Sequence, residues 1–527
     1  MYLLLNKLKN LLPEILVFLL LIGMRIPDLG RDTFNTDVWK WKNRTYDFLN
    51  AVTSANAEGT YQTYHPGVTL MALGGAGTLT YNASYKLTHR GIKPPDGNQT
   101  ILGVHTFQKI AVALAISTLL TYTFWILRGL HGLIFPAVFT LLLNTEPFFI
   151  AHTREFHLEG LVTAFMLASF VSLYKFLVTF EEGSAFRVRR TFVLSAIFAS
   201  LTILTKSSGL FIVPFNLMVL VCLLGLKKFS VKDILKIGSI WTALFVLIFV
   251  MAWPSMWVQP IYTLQRYFGG VQEVGLEGDH LQLYFGKYVE NPGPFFYLLN
   301  IILRVTPEML LVFMGSTALL ILGIKKKFST KALLSICVLY SALFLIYLSI
   351  PTKKLDRYII PMFPFVIMGA SIYIKLILDL ARSSSSVIKR RVAYGVLSLF
   401  LLFRVIQLAY YHPSYLFYYT PVIGAKEAIG IVEPKWAFAA PLVASHFESM
   451  GGQKFNVVFP EKYYTQMYPF FTTKGTGILD KKEDALKAKY FVYPVWEDLS
   501  GQSKYKIKFS ETIKLKGVAL YNVYEKY

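Results

Sequence analysis

Cysteine and charge are both scarce in this sequence. Only two cysteines occur among 527 residues, and both, Cys222 and Cys337, sit inside apolar runs. That argues against a disulfide framework and against a Cys-based zinc site. Charged residues make up 16% of the chain, against about 25% in an average soluble domain, so much of the surface does not face water. Acids are also fewer than bases, 31 against 53, which leaves a formal charge of +22. In a soluble protein this excess would point to nucleic acid. In an apolar chain it follows from Lys and Arg gathering at cytoplasmic helix ends and suits lipid phosphates, so no nucleic-acid partner is expected. The glycines of residues 67 to 87 do not form G-x-G-x-x-G, and no histidine pair has the H-E-x-x-H spacing. No nucleotide, metal or other cofactor is therefore expected. The first apolar run has no small-residue cleavage site before Met24-Arg25-Ile26-Pro27 and reads as a retained signal anchor.

Long apolar runs are what the sequence has in abundance, and each of about 18 residues or more can cross a bilayer as a helix. Spans are predicted at roughly 11–27, 104–127, 133–151, 159–179, 191–205, 209–226, 235–253, 307–324, 331–350, 358–379 and 393–411, about eleven in all. Residues 191–205 and 209–226, joined by Lys206-Ser207-Ser208-Gly209, are read as a helical hairpin. Basic clusters at Arg187/Arg189/Arg190, Lys227/Lys228, Lys325/Lys326/Lys327 and Lys389/Arg390/Arg391, with Lys7 and Lys9, place those ends inside. The scheme holds only if residues 67–103 are juxtamembrane or re-entrant, since a crossing there would reverse every later loop. It makes the N-terminus cytoplasmic, puts the loops 28–66 and 254–306 outside, and leaves 1–411 as a membrane domain in the cell membrane. Residues 412–527 are more polar. Alternating stretches such as Phe455–Phe459, Tyr490–Tyr493, Tyr505–Phe509 and Val518–Tyr524 read as strands of a small extracytoplasmic α/β or α+β domain.

This arrangement gathers ionisable residues on the outer side. The first loop has Asp28, Asp32, Asp37 and Asp47; Arg154, Glu155, His157 and Glu159 open a span; Lys206 and the stretch Lys353-Lys354-Leu355-Asp356-Arg357-Tyr358 follow. A carboxylate can take a proton from an attacking hydroxyl, and Lys and Arg can hold a phosphate leaving group. Solvated helix-end charges would give much of the same pattern. Glu159 is harder to read that way, because an acid at the head of an apolar run is costly without a partner. Arg154 is a candidate partner, in which case the pair could be purely structural.

Taken together, the motifs resemble the GT-C superfamily of glycosyltransferases, and within it the protein O-mannosyltransferase and aminoarabinose-transferase branch. The likeness rests on Asn35-Thr36-Asp37-Val38-Trp39, on Tyr64-His65-Pro66-Gly67 and on Arg154-Glu155-Phe156-His157-Leu158-Glu159. Lys206, Pro292-Gly293-Pro294, Arg304-Val305-Thr306-Pro307 and Lys354-Leu355-Asp356-Arg357-Tyr358-Ile359-Ile360-Pro361 extend it. The first loop has one acid where the O-mannosyltransferases have an Asp-Glu pair, Glu159 stands where Asp is usual, and no β-trefoil insert is apparent. The resemblance implies an α-helical polytopic GT-C membrane protein that moves a sugar from a polyprenyl-phosphate donor to an acceptor hydroxyl on a protein, lipid or glycan, with inversion. It implies Asp37, Glu159 and Arg154 as catalytic residues, with Asp37 the base. Lys206, Arg304, Lys353, Lys354, Arg357 and Tyr358 would bind the donor phosphate, and Tyr64, His65, His157 and His280 would line the pocket for sugar or acceptor. A secondary transporter or lipid flippase, with ionisable groups near the midplane of two repeated halves, and a non-catalytic membrane scaffold are the competing readings.

Overall fold

The computed structural model describes residues 2–181, 189–276, 281–323, 328–450, 456–472, 475–497 and 505–527. His280, Arg187 and Lys325 to Lys327 lie outside the described residues. Among the described residues, seven helices are long and apolar enough to cross a membrane: Asn98–His131, Leu158–Thr179, Ser207–Leu226, Val231–Met251, Thr330–Ser349, Asp356–Ser383 and Val387–Tyr411. Two further pairs qualify only as bent elements, which raises the number to nine. The other two predicted spans correspond to the helix Tyr2–Arg25 and the 16-residue helix Arg190–Thr205.

Helix Leu158–Thr179 forms the centre, with nearly every residue buried. It is hydrophobic all round, as an element enclosed by others should be. Helix Val387–Tyr411 lies at the periphery, with Leu399, Leu402, Phe403 and Ile406 exposed on a surface suited to lipid. Residues 68–88 form one continuous helix. Its glycines serve close packing, since a Cβ on Gly77 would lie 2.7 Å from the backbone of Gln108 in helix Asn98–His131.

The first bent pair corrects the prediction of a straight span at 133–151, while the predicted span at 307–324 falls on the second arm of the other pair. Helix Ile134–Asn144 turns by 80° into Pro147–Thr153, and Phe296–Arg304 turns by 116° into Pro307–Ile321. A proline follows each break, and the residue before a proline is disfavoured in the helical region. The backbone groups freed at both breaks are satisfied by a single buried node. Arg404 on the last long helix donates to the Thr145 carbonyl (2.9 Å), to Glu146 (2.6 Å) and to Glu308 (2.5 Å). Glu146 in turn accepts from the Thr306 backbone N–H at 3.1 Å and from its hydroxyl at 2.6 Å. Buried helix ends require such partners.

The strands comprise a small hairpin, β1 (Gln282–Tyr284) with β2 (Lys287–Val289), and a C-terminal sheet of β3 (Val457–Phe459), β4 (Thr476–Ile478), β5 (Tyr490–Pro494), β6 (Ile507–Leu515) and β7 (Val518–Lys526). The sheet order is β4-β3-β5-β7-β6, with β3 parallel to β4 and β5, and β7 antiparallel to β5 and β6. Lys516 and Gly517, both at positive φ, make the tight β6–β7 turn. The four predicted stretches fall on β3, β5, β6 and β7. The hairpin and β4 carry only three residues per strand, too few to register as alternation.

Candidate active site

The site forms where two helices begin. Asp37 precedes helix Val38–Thr53, and His157 precedes helix Leu158–Thr179, whose first turn carries Glu159. Carboxylates at these ends face the positive poles of the helix dipoles. The chain can bend from helix Pro147–Thr153 into Leu158–Thr179 because residue 160 is glycine. A Cβ there would meet the His152 carbonyl oxygen at 2.5 Å.

Two side chains bridge the two acids. His157 places Nε2 3.2 Å from Asp37 Oδ2, and its Nδ1 is in contact with Glu159 Oε2. Arg357 donates from Nη2 to Asp37 Oδ2 at 3.2 Å, and its Nε lies 3.4 Å from Glu159 Oε1. Lys206 Nζ donates to Glu159 Oε1 at 2.7 Å and rests 3.9 Å from the centre of the Tyr358 ring. With His157 protonated, the group carries two negative and three positive charges. Burial pushes the Asp37 carboxyl up, but the His157 hydrogen bond and the Arg357 charge outweigh it and hold the group well below the usual carboxylate range. Burial pushes His157 down, and the charges of Glu159 and Asp37 reverse this to keep it above an ordinary histidine.

A largely apolar cavity of about 130 Å³ opens beside this group. Tyr64, His65, Lys206, Ser207, Tyr297, Tyr347, Lys353 and Tyr358 are among its walls. His65 accepts or donates through Nδ1 to the Ser207 hydroxyl at 2.7 Å. Burial, then the charge of Lys206, holds its pKa well below the ordinary value, so it is neutral. Burial and the nearby Arg357 lower the Lys353 ammonium to about 8.

Three residues expected in the site are engaged elsewhere. Arg154 does not pair with Glu159. It donates from Nε and Nη2 to Asp32 Oδ2, both at 3.2 Å, and from Nη2 to the Pro27 carbonyl at 2.8 Å. The bend between the helices puts residues 154 and 159 on different faces. Asp32 also accepts from Lys109 at 2.6 Å, Lys109 reaches Glu155 at 3.3 Å, and Glu155 accepts from Asn35 at 3.1 Å. Asn35 Oδ1 then accepts from the Asp37 backbone N–H at 3.0 Å, so this buried network fixes the loop that carries Asp37. Arg304 is held by Asp356 at 2.7 Å and by the Tyr418 carbonyl at 2.7 Å. Lys354 is buried on the Pro351 carbonyl and Asn291.

Over the whole site lies a residue that sequence reading missed. Trp436, from the C-terminal region, packs its ring 5.1 Å from His157 and 4.9 Å from the Arg357 guanidinium. Nothing in its local sequence, Glu433-Pro434-Lys435-Trp436, signals contact with residues so far back in the chain.

Residues 69–266 match the dolichyl-phosphate-mannose-protein mannosyltransferase family. ArnT from Cupriavidus metallidurans bound to undecaprenyl phosphate has a similar structure, with 13% identity, 97% of each chain covered and a TM-score of 0.51. The oligosaccharyltransferase of Archaeoglobus fulgidus in the apo form matches with 11% identity over 96% of this chain and 73% of that one, at a TM-score of 0.52. The chain shares the fold of these two proteins. AglB of the same archaeon, in complex with an inhibitory peptide and a dolichol-phosphate, matches with 10% identity over 96% and 73% of the two chains, at 0.50. No curated protein matches. The family match takes in His157, Glu159 and Lys206. The fold brings Asp37, Arg357 and Trp436 to them from outside that segment.

Proposed function

We propose that the chain is a membrane glycosyltransferase that takes a sugar from a polyprenyl-phosphate donor and passes it to a hydroxyl acceptor on the extracytoplasmic face. The observation that carries this reading is the joining of Asp37 to Glu159 through Arg357 and His157, directly beside a lysine-bearing apolar cavity. A polyprenyl phosphate has the matching chemistry, an anionic head on an apolar tail. Glu159 and Arg357 lie at the ends of candidate spans, which favours a reaction at the membrane boundary over transport through the midplane.

In this mechanism Lys206, Lys353 and Arg357 receive the donor phosphate and stabilise the charge it gains on leaving. Tyr358 supports Lys206 from below. Lys354 and Arg304 hold the surrounding loops, and Arg154 holds the Asp37 loop through Asp32. The acceptor hydroxyl attacks the anomeric carbon from the face opposite the phosphate, which inverts its configuration. Asp37, ionised in the resting site, takes the hydroxyl proton. Its weak basicity is no obstacle, because that proton becomes strongly acidic once the oxygen has begun to bond to carbon. Tyr64, His65 and His157 border the reacting groups. The reading includes about eleven spans, with helices Tyr2–Arg25 and Arg190–Thr205 counted, the N-terminus cytoplasmic and residues 412–527 outside.

The test is purified protein in lipid nanodiscs with a panel of polyprenyl-phosphate sugars, scored by release of the lipid phosphate. Release with at least one donor, abolished by Asp37→Asn, is the expected result. No release with any donor would count against the reading.

A further inference from the structure

Behind Trp436 lies a second, smaller chamber of about 20 Å³. Phe148, His152, Arg304, Asp356, Trp436 and Phe438 are among its walls. Among the described residues, neither ring nitrogen of His152 has a hydrogen-bond partner, and neither do Trp436 Nε1 and Arg304 Nε, although all are buried. Buried polar atoms are nearly always paired, so several such atoms around one chamber mark a place where a ligand supplies the partners. The His152 and Trp436 rings lie 5.2 Å apart, and the same indole touches His157 and Arg357 of the reacting group.

The charges say what kind of ligand fits. Arg304 is already paired with Asp356, Arg357 with Asp37 and Glu159, and Lys435 with Glu433. Each of these cations already faces a carboxylate, so the polar atoms left open at the chamber are the His152 ring nitrogens, Trp436 Nε1 and Arg304 Nε. Ring nitrogens between aromatic faces, beside one guanidinium N–H, suit an uncharged ring bearing hydroxyls. We infer that His152 and Trp436 form the subsite that recognises hydroxyls of the transferred sugar, an inference that rests on the glycosyltransferase reading above. The chamber has room for about one water, so a sugar enters only when residues 433–436 lift. That segment is tied down by Glu433 to Lys435 and Lys462, and by Lys435 to the Leu281 carbonyl at 3.1 Å beside β1. Its far end is held by buried hydrogen bonds, from the Ala437 backbone N–H to Gln466 and from the Tyr521 hydroxyl to the Phe438 carbonyl, both at 2.8 Å.

The experiment compares the parental protein with Trp436→Phe and His152→Leu, each checked for its thermal midpoint. The probes are polyprenyl-phosphate mannose and polyprenyl-phosphate glucose with their monodeoxy analogues. Each variant should lose about two- to tenfold in kcat/KM for the intact sugar, the loss of one neutral hydrogen bond. It should lose nothing further with the one analogue that lacks the matching hydroxyl. An equal loss with every analogue, or no loss with any, overturns the subsite while the transferase reading stands. Absence of transfer from both sugars by the parental protein overturns the subsite together with that reading for these donors.

Discussion

Replacing Asp37 by Asn removes a single negative charge at the point where His157 and Arg357 converge. The Asp37 side chain is 23% exposed, and its Oδ2 accepts from His157 Nε2 and Arg357 Nη2, each at 3.2 Å. An amide oxygen keeps the acceptor geometry, so the loss to stability is that of weakened charged hydrogen bonds, about 1.5–3 kcal/mol before solvent screening reduces it. The loop is also held through Asn35 and the buried Asp32–Lys109–Glu155 network, which the substitution leaves intact. The variant should therefore fold and bind donor. Its rate should fall by about 10²- to 10⁴-fold, because an amide cannot accept the proton, which corresponds to about 2.7–5.4 kcal/mol in the barrier. The assay is initial-rate release of polyprenyl phosphate under saturating donor, alongside donor affinity and the thermal midpoint. Asp47, exposed on the far side of helix Val38–Thr53, provides the control, and Asp47→Asn should keep most activity. Near-parental turnover by Asp37→Asn together with an inactive Glu159→Gln would transfer the base role to Glu159 and refute the division of labour between the two acids.

Three further predictions concern charge, scaffold and sidedness. Lys353, with its ammonium lowered to about 8, holds phosphate only while protonated. kcat/KM for the donor should therefore be flat below pH 8 and fall above it, and Lys353→Arg should move that limb upward; a limb that does not move removes Lys353 from the phosphate site. Arg154→Met leaves Asp32 and Glu155 sharing Lys109 and should cost about 3–5 kcal/mol of stability, read as a lower thermal midpoint with unchanged donor KM. A stable variant that has lost transfer would instead place Arg154 in the reaction. In a Cys222→Ser background, with Cys337 buried, an impermeant maleimide added from outside should label Thr352→Cys and miss Lys228→Cys. The reverse pattern would turn the protein over in the membrane.

Sequence reading could find Glu159 because an acid at the head of an apolar run is conspicuous. Lys206 was visible for a similar reason, as a lone base in a tight join between apolar segments. Their mutual contact at 2.7 Å was not visible, because no periodicity relates residues on different helices. Nearness in sequence makes Arg154 a candidate partner for Glu159, but the helix breaks between Thr153 and Leu158 and sends Arg154 to Asp32 instead. Pro147 is a break signal, yet the apolar run around it is long enough to pass as a straight span, whereas Pro307 opens the span predicted there. The strands β5 and β7, five and nine residues long, are legible from their Val, Tyr and Phe content. The placement of Trp436 over His157 depends on the docking of the C-terminal region and leaves no local trace.

The Arg404 node bears on the order in which the chain assembles. Helix Val387–Tyr411 carries a fully buried arginine, and an arginine at the centre of a lone helix costs about 2.5–3.5 kcal/mol on entering a bilayer. Its partners, Thr145, Glu146, Thr306 and Glu308, all belong to segments synthesised earlier. The last helix thus becomes comfortable in lipid only after the two broken helices have met and presented their exposed ends. Biogenesis acquires a checkpoint: a nascent chain whose earlier helices are misplaced gives Arg404 nothing to bind, and its final helix stays available to quality control.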